Sequence, residues 1–442
     1  MIPIVTPARM AEVDAAAAHR IDELIDRAGR AVALAALDML GGTYGRRVIV
    51  VAGPGNNGAD GSVAAEQLRR GGVRVEVVDA LEGSQHPLAA DLVIDAAFGN
   101  GLSRPFDMLA IEDGVPVLAV DLPSGLDGLT GQPFNGPRRA DRTVTFVALK
   151  PGLVLEPGRS LAGDVTVVDV GLDPGEIMAH AVEPHDVAAL LPARPVDDHK
   201  WKSGVRIIGG SPGMTGAAAL AALSAVRSGA GIVQLALPGG RGDEGPTEVV
   251  GHPLPSAGWG AAGTANLERI RAVLVGPGLG PAEAADLAAM GGVAAPLVVD
   301  GDALQPDLLP ILGRRSAPTV LTPHDGEWAR LGGSMDDDRL DATADFACDH
   351  GVTVVRKGPT TVVAAPDGSV RVVTAGTAAL ASAGTGDVLA GCVVAMLARG
   401  LSGPDSGVVA AHLHGAAGAE LGPGLLASEV ADRIPDVTAR LR

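Results

Sequence analysis

The chain is short of cysteine, of cationic residues and of long apolar runs, and each shortage closes off a class of function. Cys348 and Cys392 are the only cysteines. They are too few and too isolated for a disulfide framework or a CxxC zinc site, so a reducing cytoplasm is expected. With 34 Lys and Arg against 52 Asp and Glu the formal charge is −18, which opposes a nucleic-acid footprint or adhesion to an anionic membrane. No stretch reaches about 18 apolar residues, and the N-terminal segment carries Glu12, Asp14 and Asp22 where a signal peptide would carry a basic n-region. Neither a signal peptide nor a membrane span is read.

What is present is ample apolar material, 47% of 442 residues, enough for the cores of two or three domains. Short β-rich runs alternate with alanine-rich helical segments, the pattern of parallel α/β sheets. In the first half strands are expected at 48–52, 73–78, 92–95, 117–121, 143–148 and 165–170, with helices around 8–40 and 62–70. In the second half they are expected at 205–209, 232–237, 273–275, 297–300, 320–322, 352–356 and 361–365, with helices at 215–228 and 387–399. Between about 180 and 200 the text turns to VEPHDVAALLPARPVDDHK, prolines and then charge. A domain boundary is expected there, giving domains 1–190 and 191–442.

The run RVIVV ends in GPGNNGADG, residues 53–61, with more glycine than a turn requires. A strand end feeding such a loop and then a helix offers free backbone N–H groups and the positive end of a helix dipole to an anion. Asn56 and Asn57 add side-chain amides and Asp60 an acceptor, whereas the bland alternative is a tight βα turn. The loop is not GxGxxG, so ordinary dinucleotide binding is not licensed. VIDAAFGNGL places Asp95 at one strand terminus, and VLAVDLPSGLDGLTG places Asp121 and Ser124 at the next. Ligands of open α/β sheets gather outside the carboxyl ends of strands, so these loops are expected to line one crevice. Each acid could instead be a cap. Lys150 in VTFVALKPGL is read as a surface lysine.

These three motifs, in this order over about residues 8–180, resemble the NAD(P)HX epimerase module of the NAD(P)H-hydrate repair family, whose signature runs GPGNNGGDG, DALLGTGL-like, DIPSGL-like. The resemblance implies a Rossmann-like three-layer sandwich. It implies substrate contacts at Asn56, Asn57, Gly58, Ala59 and Asp60, at Gly99, Asn100, Gly101, Leu102, Ser103, Arg104 and Pro105, and at Asp121. It also implies a potassium ion held by Asn57, Asp95 and Ser124, a set of hard oxygen ligands. Asp121 is the candidate acid/base at the nicotinamide ring carbon. Ala59 and Asn100 depart from the family's usual glycine and threonine.

In the second half ALASAGTGDVLAG, residues 379–391, sets glycines and an aspartate before an apolar helix. Amides of Gly384, Thr385 and Gly386 can stabilise charge on a transferring phosphoryl group, and Asp387 stands where a carboxylate could take a hydroxyl proton. A helix cap is the alternative for Asp387. The motif resembles the ribokinase-like superfamily. With IIGGSPGMTGAAAL, LVGPGLG, VVDGDAL, LTPHDGEWARL and VVRKGPTTVVA, residues 199–440 resemble the ADP-dependent NAD(P)HX dehydratases. That resemblance implies dinucleotide contacts at Ala217, Gly280, His324 and Asp387, and adenine-nucleotide contacts at Lys357, Gly358, Pro359, Thr360, Thr361 and Gly386. Gly301 and Pro359 are departures. Lys357 is one of only four lysines, which suits a compact ammonium near phosphate. His412 and His414, two apart, do not share a helix face and are read as helix-surface histidines.

Taken together, the resemblances imply a bifunctional isomerase and lyase that repairs hydrated NADH and NADPH, taking ADP as co-substrate with Mg²⁺ and yielding AMP and phosphate. A homo-oligomer is expected, with no nucleic-acid or membrane partner. Two other readings stay open, a vitamin-type hydroxymethyl kinase joined to an unrelated module, and a nucleotide-sensing scaffold without turnover.

Overall fold

In a computed structural model the structure describes residues 1–82, 86–102, 104–242, 244–335 and 338–442. Two compact units form, Ile2–Ile177 and Met178–Arg442, with Met1 grouped with the second. The division falls ahead of the 180–200 segment, which corrects the boundary expected at 190. The reason is packing. Strand Ala179–Ala181 pairs with Val370–Val373, and Val182 and Val187 join the second unit's core.

The first unit holds a six-stranded sheet in the order Arg74–Asp79, Arg47–Ala52, Leu92–Ala96, Val117–Val120, Arg142–Phe146, Asp164–Val168. Every pairing is parallel. Both faces are covered, which is why Val48–Val51 reads as a continuous apolar run instead of an alternation. Val48 and Val50 pack with Val32, Ala36 and Leu68, residues of helices Ile21–Leu40 and Asn56–Arg70. Ile49 and Val51 pack on the opposite face with Leu88 and Ala97. The strand order reverses between Arg47–Ala52 and Leu92–Ala96, so the loops leaving those two strands open a crevice.

The second unit repeats the principle on a larger scale. From Met178 onward its strands lie in the order Ala179–Ala181, Val370–Val373, Thr361–Ala364, Thr353–Arg356, Thr319–Leu321, Leu297–Val299, Ala272–Val275, Gly204–Ile208, Ile232–Pro238, Val250–Leu254. From Thr353–Arg356 to Val250–Leu254 all pairs are parallel, whereas Thr361–Ala364 runs antiparallel to both its neighbours. One face carries Val205, Ile207, Leu274, Val298 and Val355 against helices Thr215–Arg227, Thr385–Ala398, Gly403–Leu421 and Ala427–Leu441. Helix Thr385–Ala398 is apolar all round and buried almost throughout, as expected of a helix with no solvent face. Here the reversal lies between Gly204–Ile208 and Ala272–Val275. No described helix is long and apolar enough to cross a membrane.

Candidate active sites

The GPGNNGADG stretch is largely helix. Helix Asn56–Arg70 begins six residues before the expected 62, so Asn56, Asn57, Gly58, Ala59 and Asp60 form its first turns. The glycines serve close approach. A Cβ on Gly53 would collide with the Ala97 carbonyl oxygen, and one on Gly58 with the Gly53 carbonyl oxygen. Neither takes a positive φ, and neither does Ala59, so alanine is tolerated where the family has glycine.

At the switch point of the first unit lies a cavity of about 450 Å³, lined by Asn56, Asn57, Asp60, Gly99, Asn100, Gly101, Leu102 and Asp121 among others. Those sequence-predicted residues are therefore brought together. Gly58 and Ala59 turn into helix packing, Arg104 and Pro105 are exposed outside the cavity, and Ser103 lies outside the described residues. The structure adds residues that the motifs did not mark, notably Asp14, Val147 and Lys150.

Lys150 corrects the surface reading. It is only 2% exposed, and its Nζ donates to Asp121 Oδ1 at 2.5 Å, to Thr145 Oγ1 at 2.8 Å and to the Phe146 carbonyl at 3.1 Å. Asp121 also accepts from Thr145 Oγ1 and from the Asn100 amide. Burial alone would raise the Asp121 pKa, but the Lys150 charge and these hydrogen bonds outweigh it and hold the carboxyl below its ordinary value. Asp121 and Val147 sit at φ 66 and φ 68. Positive φ is costly for a β-branched valine, and both residues line the cavity.

Asp60 is the converse. Buried, with no ion pair to a cation among the described residues, its pKa is pushed up to about 8 by burial, then by Asp121 and Asp14. Asp14 is raised in turn by burial and by Asp121, against Lys150. One ionised and one protonated carboxyl thus face the same space at neutral pH, an arrangement that separates a proton acceptor from a donor.

Asp95 and Ser124 lie buried outside the cavity lining. Ser124 Oγ donates to Asp95 Oδ1 at 2.5 Å and accepts the Phe98 amide, and the Ser124 amide donates to Asp95 Oδ2. Asp95 has no ion pair among the described residues, and the Asn57 Nδ2 is buried without a partner. Burial raises the Asp95 pKa against its bonds from Ser124 and Ala97, and its carboxyl and the Ser124 hydroxyl are hard oxygen donors of the kind a monovalent cation accepts.

In the second unit the candidate residues leave successive strand ends. Gly280 follows Ala272–Val275, Asp300 follows Leu297–Val299, His324 follows Thr319–Leu321, and Lys357 follows Thr353–Arg356. Ala217 stands in the first turn of helix Thr215–Arg227 against Gly278. Gly301 takes φ 56, a conformation that favours glycine. Beside it, Asp302 accepts the Gly280 amide at 2.8 Å.

Lys357 Nζ lies 2.9 Å from Asp300 Oδ1 and 3.4 Å from Glu327 Oε2, and 3.5 Å from where a Cβ on Gly386 would stand. Burial would lower its pKa, but Asp300 and Glu327 outweigh burial and keep it charged. The Gly358 carbon faces Arg339, and the Lys357 carbonyl accepts from Arg339 Nη2. Thr360 and Thr361 are buried at the start of strand Thr361–Ala364, and Pro359 crowds Gly376. His324 caps helix Asp325–Arg330, its Nδ1 accepting from the Gly326 and Glu327 amides. That fixes the proton on Nε2, at the exposed end of a side chain 60% accessible.

Asp387 does not cap its helix. The N-cap is Gly384 at φ 88, with no side-chain cap bond. Burial first, then Asp300, against Lys357, push the Asp387 carboxyl up to about 7. The two histidines correct the sequence reading, since both are buried in helix Gly403–Leu421. His414 backs the Thr385 carbonyl while its Nε2 has no partner. Burial pushes its pKa down to about 4, so it is neutral.

Two modules with separate crevices, one of them a mixed sheet with a glycine-rich helix start facing a Lys–Asp pair, define a ribokinase-like α/β protein fused to a second α/β module. Family models match accordingly. Residues 205–435 match NAD(P)H-hydrate dehydratase, and residues 21–87 and 78–152 match the YjeF-related protein N-terminus. The chain is 35% identical to the bifunctional NAD(P)H-hydrate repair enzyme Nnr of Moorella thermoacetica, covering 99% of this chain and 97% of that protein. It is 38% identical to the Nnr of Mycobacterium leprae, over 87% and 86%. The ADP/ATP-dependent NAD(P)H-hydrate dehydratase of Bacillus subtilis, co-crystallised with ATP and Mg²⁺, superposes with a TM-score of 0.52 at 32% identity, covering 59% of this chain and 98% of that one. The chain belongs to the bifunctional NAD(P)H-hydrate repair enzymes.

Proposed function

We infer that the first unit interconverts the R and S hydrates of NADH and NADPH, and that the second dehydrates the S form with ADP. The observation that carries this reading is the Asp387 carboxyl, buried and not engaged in capping, beside Gly384–Gly386 and Lys357. Asp387 takes the ring hydroxyl proton as that oxygen attacks the β-phosphoryl group of ADP, releasing AMP. The ring then expels phosphate, a better leaving group than hydroxide, and loses a proton to restore the dihydronicotinamide. Lys357 and the Gly386 amide meet the phosphates, with Gly358, Pro359, Thr360 and Thr361 along the nucleotide, and Ala217, Gly280 and His324 along the dinucleotide. Asp300 and Glu327 are hard oxygen donors of the kind Mg²⁺ accepts, and the ion supplies charge neutralisation at the phosphates.

In the first unit Asp121 accepts the hydroxyl proton as the bond between the hydroxyl-bearing carbon and the ring nitrogen breaks to give an aldehyde. Asp60 donates a proton to the nitrogen, and after rotation the nitrogen attacks the other face of the aldehyde with both protons returned. Asn56, Asn57 and the loop residues Gly99, Asn100, Gly101 and Leu102 hold the substrate. Asn57, Asp95 and Ser124 hold potassium, which supplies counter-charge to Asp95. The protein works as a homo-oligomer in the cytoplasm, where Cys348 and Cys392 stay reduced. The test is to give purified protein each pure epimer with ADP, ATP or neither. NADH formed from the S form only with nucleotide, and from the R form only after epimerisation, supports the reading. A phosphorylated product that accumulates instead would favour a kinase.

Two further results are expected. Asp95→Asn should lower epimerisation by about 10- to 100-fold, as loss of a ligand-shell partner does, and should abolish its response to potassium. Equal rates in potassium and sodium for the parent and the variant would end the potassium reading. A chain truncated to residues 1–177 should fold and still interconvert the epimers, because each unit has its own sheet and core. If it folds but leaves a pure epimer untouched while the full chain converts it, the two activities do not sit in separate units.

A further inference from the structure

The second unit has a cavity of about 690 Å³ whose lining includes none of the candidate active-site residues above. It lies where helices Thr215–Arg227 and Thr385–Ala398 end, beside Ser203 and Arg271, which precede strands Gly204–Ile208 and Ala272–Val275. Ala217 and Asp387 stand at the opposite ends of those same helices. The 14 residues of Thr385–Ala398 span about 21 Å at 1.5 Å each, so this cavity is remote from the catalytic end.

Its lining is cationic in a chain of formal charge −18. Arg194, Lys202, Arg227, Arg271, Arg399 and Arg442 line it with a single carboxylate, Asp198. Three of the six have acidic partners: Arg194 with Asp198 at 2.9 Å, Lys202 with Asp197 at 3.0 Å and Arg227 with Asp432 at 2.7 Å. The other three have none among the described residues. Arg399 donates to the Ser228 and Pro192 carbonyls, Arg442 donates to Pro192 as well, and Arg271 makes no side-chain hydrogen bond to the described residues. Burial, then the nearby Arg442 charge, lower the Arg399 pKa, with Arg194 adding to the repulsion and Cys392 and Asp198 acting against it.

Arginines at helix C-termini have an ordinary role, since each terminus carries about half a negative charge. Three helix C-termini meet here, those of Thr215–Arg227, Thr385–Ala398 and Ala427–Leu441, and at about half a charge each they leave more than one of these three cations without a counter-ion. Apart from the neighbouring Cys392 thiol, which burial keeps protonated, the buried Ser228 hydroxyl has no partner either. No aromatic ring lines the cavity, so it offers nothing for a nucleobase to stack on. We propose that this cavity binds a small anion bearing two phosphoryl groups, held by the guanidinium groups of Arg271, Arg399 and Arg442, at a site separate from both catalytic crevices.

Titration calorimetry of the full chain with inorganic pyrophosphate, without Mg²⁺ and with AMP saturating the catalytic end, tests this. One saturable site is expected. The double variant Arg271→Ala/Arg442→Ala should weaken it by about tenfold or more, as loss of charge-assisted phosphate contacts does. Its melting temperature without ligand should not fall, because removing like charges relieves repulsion. Lys357→Met should bind pyrophosphate as the parent does. Fructose 1,6-bisphosphate serves as a second probe, and tighter binding than pyrophosphate marks an organic bisphosphate as the ligand, weaker binding an inorganic one. Absence of a saturable heat with both probes, equal affinity in the double variant, or loss of binding in Lys357→Met would overturn the proposal.

Discussion

Asp387→Asn should leave a folded protein whose ADP-driven dehydration has fallen by about 10²- to 10⁴-fold, the usual contribution of a positioned general base, while epimerisation is untouched. The amide keeps the shape of the side chain and removes its basicity. Because Gly384 provides the N-cap and Asp387 makes no cap bond, helix Thr385–Ala398 has nothing to lose at its start. The pH dependence gives a second handle. With a pKa of about 7, the carboxylate needed as base is populated as pH rises through neutrality, so kcat/KM of the parent for dehydration should climb through about pH 7 and then level. The sign for stability is opposite. A carboxyl raised above its ordinary 3.8 favours the fold below that value, and the contribution is lost as pH rises through about 7. The Asn variant should therefore melt no lower than the parent at pH 8. Near-normal NADH recovery from the S hydrate would reject Asp387 as the base, and a marked fall in melting temperature with loss of both activities would return it to a structural role.

The sequence made the sheets legible because their strands are buried on both faces and read as short valine and isoleucine runs, as at Val48–Val51 and Val205–Ile208. Edge pieces were not legible. Ala179–Ala181 and Val250–Leu254 are short and mixed with His and Pro, and nothing local marks them as paired. The start of helix Asn56–Arg70 was hidden because glycine reads as loop, whereas Gly58 and Gly61 are there to let the helix approach Gly53 and Ala96. The switch-point residues could be found because each follows an apolar strand, the place where a parallel sheet gathers ligands. Lys150 could not, since its meaning depends on a partner 29 positions away that only sheet order brings to it. His414 was misread for a related reason. The helix Gly403–Leu421 has almost no polar face, and a histidine on such a helix is covered on every side.

Lys150→Met should reduce epimerisation at neutral pH about as severely as Asp121→Asn, by some 10²-fold or more if Asp121 is the base, yet by a different route. In the parent, Lys150 offsets the burial that would otherwise raise the Asp121 pKa. Without the ammonium, burial is opposed only by the hydrogen bonds from the Asn100 amide and Thr145, and Asp121 takes up a proton at a pH where the parent is ionised. The acid limb of the epimerase pH profile should therefore move upward in Lys150→Met, with activity partly recovered at higher pH. Asp121→Asn should show no such recovery. Stability follows the same logic. A depressed carboxyl stabilises the fold above its ordinary value of 3.8 and loses that contribution only as pH falls through its lower folded value, so the pair is fully engaged at neutrality. Breaking a buried pair from one side costs about 3 to 5 kcal/mol, visible as a lowered melting temperature in either single variant. The double variant Lys150→Met/Asp121→Asn removes both charges and should regain most of that stability while staying inactive at every pH. If Lys150→Met instead keeps both the parent's pH profile and its melting temperature, the ion pair is not what holds Asp121 ionised, and the ionised carboxylate must owe its charge to the Asn100 amide and Thr145 alone.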